Sequence, residues 1–475
     1  MTAALHVLFW LCLFILTLPV AWLTLQVLAS PNRVRWETTP ARSAGDDWPA
    51  VTNRDESATP LGRQDRLVFG HENPAQAAAN GGDSPACQNA QQAPDCRIAR
   101  HAPACQNACN TSAAVNEQAP ADGHRPTLVV LVPAHNEAMG IGATLASITA
   151  QLLPGDRLVV IADNCNDDTA MVAHLCGAEV AVRADPDRRG KGYALAFGIR
   201  HLHGAPPEVV IVVDADCLLA PSALDLLARA CAASGRPVQA QYLMFASDKS
   251  TAAKRVAEFA WTVKNALRPL GALRLGQGCQ LTGSGMALPW RLARVAPLDT
   301  PYIVEDLKLG LDLALLGAVP LFCPRAVVTS VFPDNAAGSA VQRTRWEHGH
   351  LGLIAAYGPK LAAHGLLRRD LAQVTLALDL CVPPVSLLLM LTLAGGAAGL
   401  VGAKASGEAL PWALAAIPPA ALCAVLILTW HKCGRDILPS RQLGHVLVYA
   451  VMKIPLYLRF LIRRQVAWLG AARDK

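Results

Sequence analysis

The chain has 475 residues, 52% of them hydrophobic, and a mean hydropathy of +0.29, which argues against a wholly soluble protein and leaves room for one large domain plus membrane segments. Its formal net charge of +6 is spread without any long Lys/Arg run, so nothing in it is suited to follow a nucleic-acid backbone and nucleic acid is excluded as an expected partner. The fourteen cysteines are scattered through apolar stretches rather than spaced as a framework, the pattern of reduced thiols.

Residues 5–29 carry no charge and are long enough to cross a bilayer as a helix. They lack the positive n-region of a secretory signal, so 1–29 reads as an uncleaved anchor. Arg33 and Arg35 follow directly, which places the next residues in the cytoplasm by the positive-inside rule. Residues 30–123 are rich in Ala, Asn, Gln, Pro, Asp and Gly. Such a tract cannot bury enough apolar surface to offset its ordering entropy, and a disordered cytosolic insert is expected. PACQNA occurs twice within it, at Pro85 and Pro103, and Cys87, Cys96, Cys105 and Cys109 lack the paired C-x-x-C knuckles of structural zinc sites.

From Thr127 onward, strands expected at 127–132, 157–162, 179–182 and 208–213 alternate with helices expected at 141–150, 168–176 and 191–201. That alternation predicts βαβ units and a parallel, right-handed sheet, with ligands at the carboxyl ends of its strands. The loops there are polar: PAHNE at 133–137, DNCNDD at 163–168 and DAD at 214–216. Residues 209–217, VVIVVDADC, read as a central buried strand whose extended backbone points Asp214 and Asp216 to one face. Two converging carboxylates repel each other unless a hard divalent cation sits between them. The alternative is an Asp pair that caps the next helix, expected at 221–229.

Beyond the DAD, the pattern predicts a helix over 251–267, a Gly-rich stretch over 276–286, and an apolar helix opened by Val304-Glu305-Asp306. QRTRW at 342–346 begins a histidine-bearing segment, and 351–371 reads as a helix lying on the membrane surface. Residues 375–403, with a kink at Pro383-Pro384, and 410–430 predict two spans within 372–430. Lys432, Arg435 and Arg441 put the following turn inside. Residues 444–462 contain Lys453 and Arg459 and precede a basic tail, so within 431–475 an interfacial or re-entrant segment is expected and the count is about three crossings.

PAHNE, DAD, Glu305-Asp306 and Q-x-x-R-W occur here in one order. Over about 127–353, with the anchor before and the spans after, the chain resembles membrane-bound family 2 glycosyltransferases of the GT-A fold, the group of cellulose, hyaluronan and poly-N-acetylglucosamine synthases and ceramide glucosyltransferases. The resemblance implies an α/β, Rossmann-like GT-A domain over 124–350, cytosolic, on an inner-membrane multi-pass protein. It implies that Ala134, His135 and Glu137 touch the uracil and ribose of a UDP-sugar and that Asp163 reads the uracil, since a carboxylate can accept from the ring N–H. Lys191, at a helix N-terminus that favours anions, would reach the pyrophosphate. Asp214 and Asp216 would hold Mg²⁺ or Mn²⁺, with Asp216 the more direct ligand. Glu305-Asp306 resembles the family's TED motif with Val in place of Thr, which makes Asp306 the general base. Gln342, Arg345 and Trp346 would serve the diphosphate and the acceptor's terminal sugar, and Gly283, Ser284, Gly285 and Glu305 would lie toward the acceptor.

One base and no second carboxylate nucleophile suggest inversion, giving a β-linkage. The expected partners are a UDP-sugar, a growing glycan of exopolysaccharide type, and the membrane. Three crossings are few for a polysaccharide channel, so the alternatives are a homo-oligomer or partner channel, or transfer of one sugar to a lipid acceptor. A catalytically silent scaffold is the reading from another class.

Overall fold

The computed structural model describes residues 2–32, 125–247, 250–333, 336–407 and 413–462. The repeated PACQNA tract with its four cysteines and the basic residues after 462 lie outside the described residues. An apolar helix, α1 (Thr2–Ala29), leads. Buried runs of Val, Leu, Ile and Ala then form β1 (Leu128–Ala134), β2 (Arg157–Asp163), β3 (Glu179–Arg183) and β4 (Val209–Val212), alternating with α2 (Ile141–Thr149), α3 (Thr169–Leu175) and α4 (Lys191–His201). β5 (Leu218–Leu219), α5 (Ala223–Ser234) and β6 (Val238–Phe245) follow. Next, α6 (Ala252–Thr262) runs through a π turn at Val263–Leu267 into α7 (Arg268–Arg274). β7 (Met286–Pro289), α8 (Glu305–Leu315) and β8 (Leu321–Val331) complete the sheet and its cover. The helices α9 (Ala336–Arg368), α10 (Leu371–Leu380), α11 (Val385–Ser406), α12 (Ile417–Thr429), α13 (Gly444–Met452) and α14 (Ile454–Ile462) finish the described chain.

The strands form one sheet in the order β3-β2-β1-β4-β7-β6-β8-β5. β3, β2, β1 and β4 are parallel, as the βαβ pattern predicts, and β4 is central. The rest corrects a purely parallel sheet, because β7 lies antiparallel between β4 and β6, and β5 antiparallel to β8. A second correction concerns the strand over 209–217: it stops at Val212, and the DAD occupies the turn that follows. The helix expected at 221–229 runs from Ala223 to Ser234.

Among the described residues, four helices are long and apolar enough to cross a membrane: Phe9–Ala29, Val385–Lys404, Leu414–Gly434 and Ser440–Ile462. Pro383 and Pro384 separate α10 from α11, because proline cannot continue the hydrogen-bond ladder. The fourth helix covers the segment expected to be interfacial, and it is divided between α13 and α14 at Lys453. The lysine that argued against a crossing is not left alone: Lys453 Nζ pairs with Glu347 Oε1 on α9 and lies 4.6 Å from the Tyr449 ring centre. Charges at this depth persist when paired. Replacing Lys453 with Met leaves Glu347 buried without its cation, and the expected cost is about 3–5 kcal/mol. Thermal unfolding in detergent should show a large drop in Tm for K453M and recovery in the E347Q/K453M double variant.

Helix α1 docks on the rest through close backbone approach. A side-chain carbon at Gly271 of α7 would stand 2.0 Å from the Gln26 carbonyl oxygen, so only glycine fits. Lys432 Nζ donates to the carbonyl oxygens of Val27 at 2.6 Å and Ser30 at 2.9 Å, a cation at the end of α1 where the helix dipole is negative. The basic turn after α12 and the end of α1 therefore share one side.

Candidate active site

The loops after β1 and β2 are folded onto each other. Asn136 and Asn164 take left-handed φ values of 58° and 53°, a conformation asparagine tolerates better than most residues. The Asn166 N–H donates to Asn136 Oδ1 at 2.9 Å, and the N–H groups of Ala138 and Thr169 both donate to Asp167 at 3.1 Å. The Glu137 N–H donates to Thr169 Oγ1 at 2.8 Å, and His135 Nδ1 lies 2.7 Å from the Asp163 carbonyl oxygen. Ala134 is buried at the end of β1, and Asp163, only 6% exposed, stands beside it at the end of β2.

Asp163 Oδ1 accepts from Arg183 Nη1 at 2.5 Å and from Asn164 Nδ2 at 3.0 Å. Burial pushes its pKa up, against the pull of Arg183. Sequence reasoning missed Arg183. Its only signal was an arginine at the carboxyl end of a strand expected next to that of Asp163, and the register places the two residues opposite each other.

The acid centre is assembled by the loop before β7. The Asp214 N–H donates to Ser284 Oγ at 3.1 Å, while Lys191 Nζ, in the first turn of α4, pairs with Asp214 and donates to the Gly283 carbonyl oxygen at 2.7 Å. Gly283 has φ +95°, and a side-chain carbon placed on it would lie 3.1 Å from Asp306 Oδ2, 3.6 Å from Lys191 Nζ and 3.7 Å from Asp214 Oδ2. Residues distant in sequence thus surround one point. Burial would lower the Lys191 ammonium, but Asp214, Glu305 and Asp306 hold it above its ordinary value. Asp214 is pushed up by burial, Lys191 opposing and Asp216 adding to the rise.

Ligand atoms of Asp214, Asp216 and Cys217 lie within 4.8 Å of one another. The two carboxylates suit a hard, oxygen-preferring divalent cation. Cys217 does not fit that set: burial drives its thiol well above the usual range, and Sγ stands 3.7 Å from Asp216 Oδ1 and 3.6 Å from the Tyr242 hydroxyl.

From Tyr242 an aromatic series leads to the QRTRW motif. Its ring meets Trp261 edge-on at 5.3 Å, and Trp261 lies 4.9 Å from Trp346 at 43°. Trp261 Nε1 donates to the Tyr242 carbonyl oxygen at 3.0 Å, which fixes the middle ring. Arg345 acts electrostatically on Glu305, and among the described residues its buried Nε has no hydrogen-bond partner. Gln342 precedes both by about one turn of α9, on the same face. The structure therefore gathers Lys191, Asp214, Asp216, Gly283, Ser284, Glu305 and Asp306, with Arg345 and Trp346 beside them. Tyr242 and Trp261 carried no motif that could have marked them.

Glu305 carries a pH signature. Burial first, then the Asp306 charge, lifts its pKa from 4.5 to about 7, while Lys191 and Arg345 pull the other way. The folded chain holds a proton there that the unfolded chain has released, so this group's contribution to stability falls as pH rises from 4.5 through about 7. With divalent cations chelated, the wild-type Tm should drop relative to that of E305Q across this window. A constant difference between the two would contradict the assignment.

Residues 125–349 match the family described as "Glycosyltransferase like family 2". This stretch is a family 2 glycosyltransferase domain. The glycosyltransferase domain contains the whole sheet and the acid centre, and its β3-β2-β1-β4 half with the mixed β7-β6-β8-β5 half resembles the GT-A fold. Among curated proteins, the 4,4'-diaponeurosporenoate glycosyltransferases of Staphylococcus aureus are similar, one strain's being 38% identical over 93 residues, 19% of this chain and 24% of the relative. The chain thus spans about a quarter of the length of these relatives. Among solved structures, similarity extends to a mannosyltransferase from Pyrobaculum calidifontis in complex with GDP-Man and Mn²⁺, with TM-score 0.41, 21% identity, and coverage of 64% of this chain and 87% of that one. A glucosyl-3-phosphoglycerate synthase from Mycobacterium tuberculosis with Mn²⁺ and UDP gives TM-score 0.31, 21% identity, and coverage of 47% and 80%.

Proposed function

We propose that the chain moves a sugar from a UDP-sugar, with inversion, to a growing glycan of exopolysaccharide type at the membrane. The observation that carries this reading is the convergence of Asp306, Lys191 and Asp214 around Gly283. Asp306 takes the proton of an acceptor hydroxyl, whose oxygen bonds to the sugar's C1 as the C1–O bond to the diphosphate breaks. The electron pair departs with UDP, and configuration at C1 inverts. Asp306 sits in the first turn of α8, at the end of the helix nearest the acid centre. Lys191, the N-terminus of α4 and the forked guanidinium of Arg345 bind the diphosphate oxygens, with Gln342 orienting Arg345 or Trp346.

Asp163 accepts the uracil N–H through Oδ2, the oxygen that neither Arg183 nor Asn164 bonds, while Ala134, His135 and Glu137 line the uracil and ribose. Trp346 offers its face to the acceptor's terminal sugar, with Glu305, Ser284 and Gly283 beside the same position. Asp216, more directly, and Asp214 would hold Mg²⁺ or Mn²⁺, which supplies Lewis-acid neutralisation of the leaving diphosphate.

Four apolar helices, and the shared side of the α1 end and the Lys432 turn, support an inner-membrane protein whose domain faces the cytosol. Export of a polymer would use the spans of a homo-oligomer or a partner channel. A second reading, addition of one sugar to a lipid acceptor, is favoured by the staphylococcal relatives, whose name specifies a single acceptor, 4,4'-diaponeurosporenoate. Product sizing separates the two, since a polymer ladder supports the first and one added sugar the second. NMR of the product should show a β-linkage formed from an α-linked donor, and a retained α-linkage would refute inversion.

A further inference from the structure

Next to the Gly283 loop of the acid centre lies a cavity lined by Gln26 of α1, Lys264 and Asn265 of the π turn, Arg268 of α7, Thr282 before β7 and Asp379 of α10. Its enclosed part is about 20 Å³, room for one water-sized oxygen group and not for a sugar ring. One wall is already satisfied: Asp379 accepts from Gln26 Nε2 at 2.7 Å, from Arg268 Nη2 at 2.7 Å and from Gln280 Nε2 at 2.6 Å. The facing wall is not. Asn265 is 2% exposed, yet among the described residues neither Nδ2 nor Oδ1 has a hydrogen-bond partner, and neither does the buried Thr282 Oγ1. Buried polar atoms are almost always paired, so an amide held this way is matched to something that binds. The π turn that presents it is a helical irregularity common at functional sites. Thr282 immediately precedes Gly283, and Lys264, which also lines the cavity, is within electrostatic reach of Asp306.

We infer that this cavity receives a second hydroxyl of the acceptor while Asp306 engages the first, so that the chain selects polyol acceptors over acceptors with a single oxygen function. The inference rests on the transfer reading above. A hydroxyl both donates and accepts, which matches the paired amide atoms of Asn265 and the Thr282 hydroxyl. An acceptor without that hydroxyl leaves those groups buried and unpaired, and this is the arrangement from which large discrimination arises. Holding the acceptor at two points also fixes the direction from which its reacting oxygen approaches.

The test uses the full chain in lipid nanodiscs with Mn²⁺ and a panel of UDP-sugars, offering octyl β-glucoside against octanol as acceptors with matched tails. The wild type should favour octyl β-glucoside by roughly 10²-fold or more in kcat/KM. In T282V and N265L its KM for octyl β-glucoside should rise about tenfold while KM for the donor holds, narrowing the preference. Thr282→Val is isosteric and carries the test if Asn265→Leu does not fold, the donor KM reporting an intact domain. Equal use of the two acceptors by the wild type, or an undiminished preference in T282V, overturns the inference. Wild-type UDP release with no transfer to either acceptor overturns it alone, whereas no UDP release from any donor overturns the transfer reading beneath it.

Discussion

Asp306→Asn should lower the rate of sugar transfer by roughly 10²–10⁴-fold, the range expected if Asp306 is a positioned general base. The substitution keeps the shape of the side chain and removes only its ability to take a proton. Its Oδ2 lies by the Gly283 position that Lys191 and Asp214 also approach, so the change falls on kcat while KM for the UDP-sugar stays close to the wild-type value. The control is Glu305→Gln. Glu305 precedes Asp306 in the same first turn of α8 but is pushed to about 7 by burial and by its neighbour's charge. At neutral pH it is substantially protonated, and its loss should affect rate far less than that of Asp306. Steady-state rates of both variants, measured side by side, check the assignment. An E305Q defect larger than that of D306N would exchange their roles.

Asp216→Asn removes a carboxylate from the pair after β4, and the expected loss is roughly 10²–10³-fold in kcat/KM, equivalent to several kcal/mol of charge stabilisation at the leaving diphosphate. Asp214 is engaged by Lys191, and a carboxylate oxygen of Asp216 lies within 4.8 Å of one of Asp214. The discriminating readout is rate against Mn²⁺ concentration. D216N should require far more metal to reach half of its own maximum, whereas D306N should keep the wild-type metal dependence. An unchanged metal requirement in D216N would remove Asp216 from the cation site.

How much of this was legible in the sequence depends on the kind of signal. The parallel half of the sheet is written locally: β1 to β4 are short buried runs with polar residues at their carboxyl ends, so their positions and the loops that carry His135, Asp163 and Asp214 follow from the pattern. The other half is not. β7 hides in a Gly-rich stretch, and β8 contains Pro324, which lies within a bulge where the pairing with β6 jumps from Ala240–Cys323 to Gln241–Val327. The Asp163–Arg183 pair depends on strand register, and the Trp346–Trp261–Tyr242 series joins three elements without any motif. Lys453 misled for a physical reason. A charge reads as a barrier to crossing until its partner, Glu347, more than 100 residues earlier in the chain, is brought to it. Motif order singled out the acids as candidates, and only the fold could show that Asp214 and Asp306 both approach Gly283.

The most direct measurement of the central claim is UDP release by the purified full chain in detergent, given a panel of UDP-sugars and Mn²⁺, with D306N and D216N beside the wild type. UDP should form from at least one donor, accompanied by a glycosylated product, and should be reduced in both variants. UDP formation absent from every donor, or undiminished in both variants, would contradict that claim.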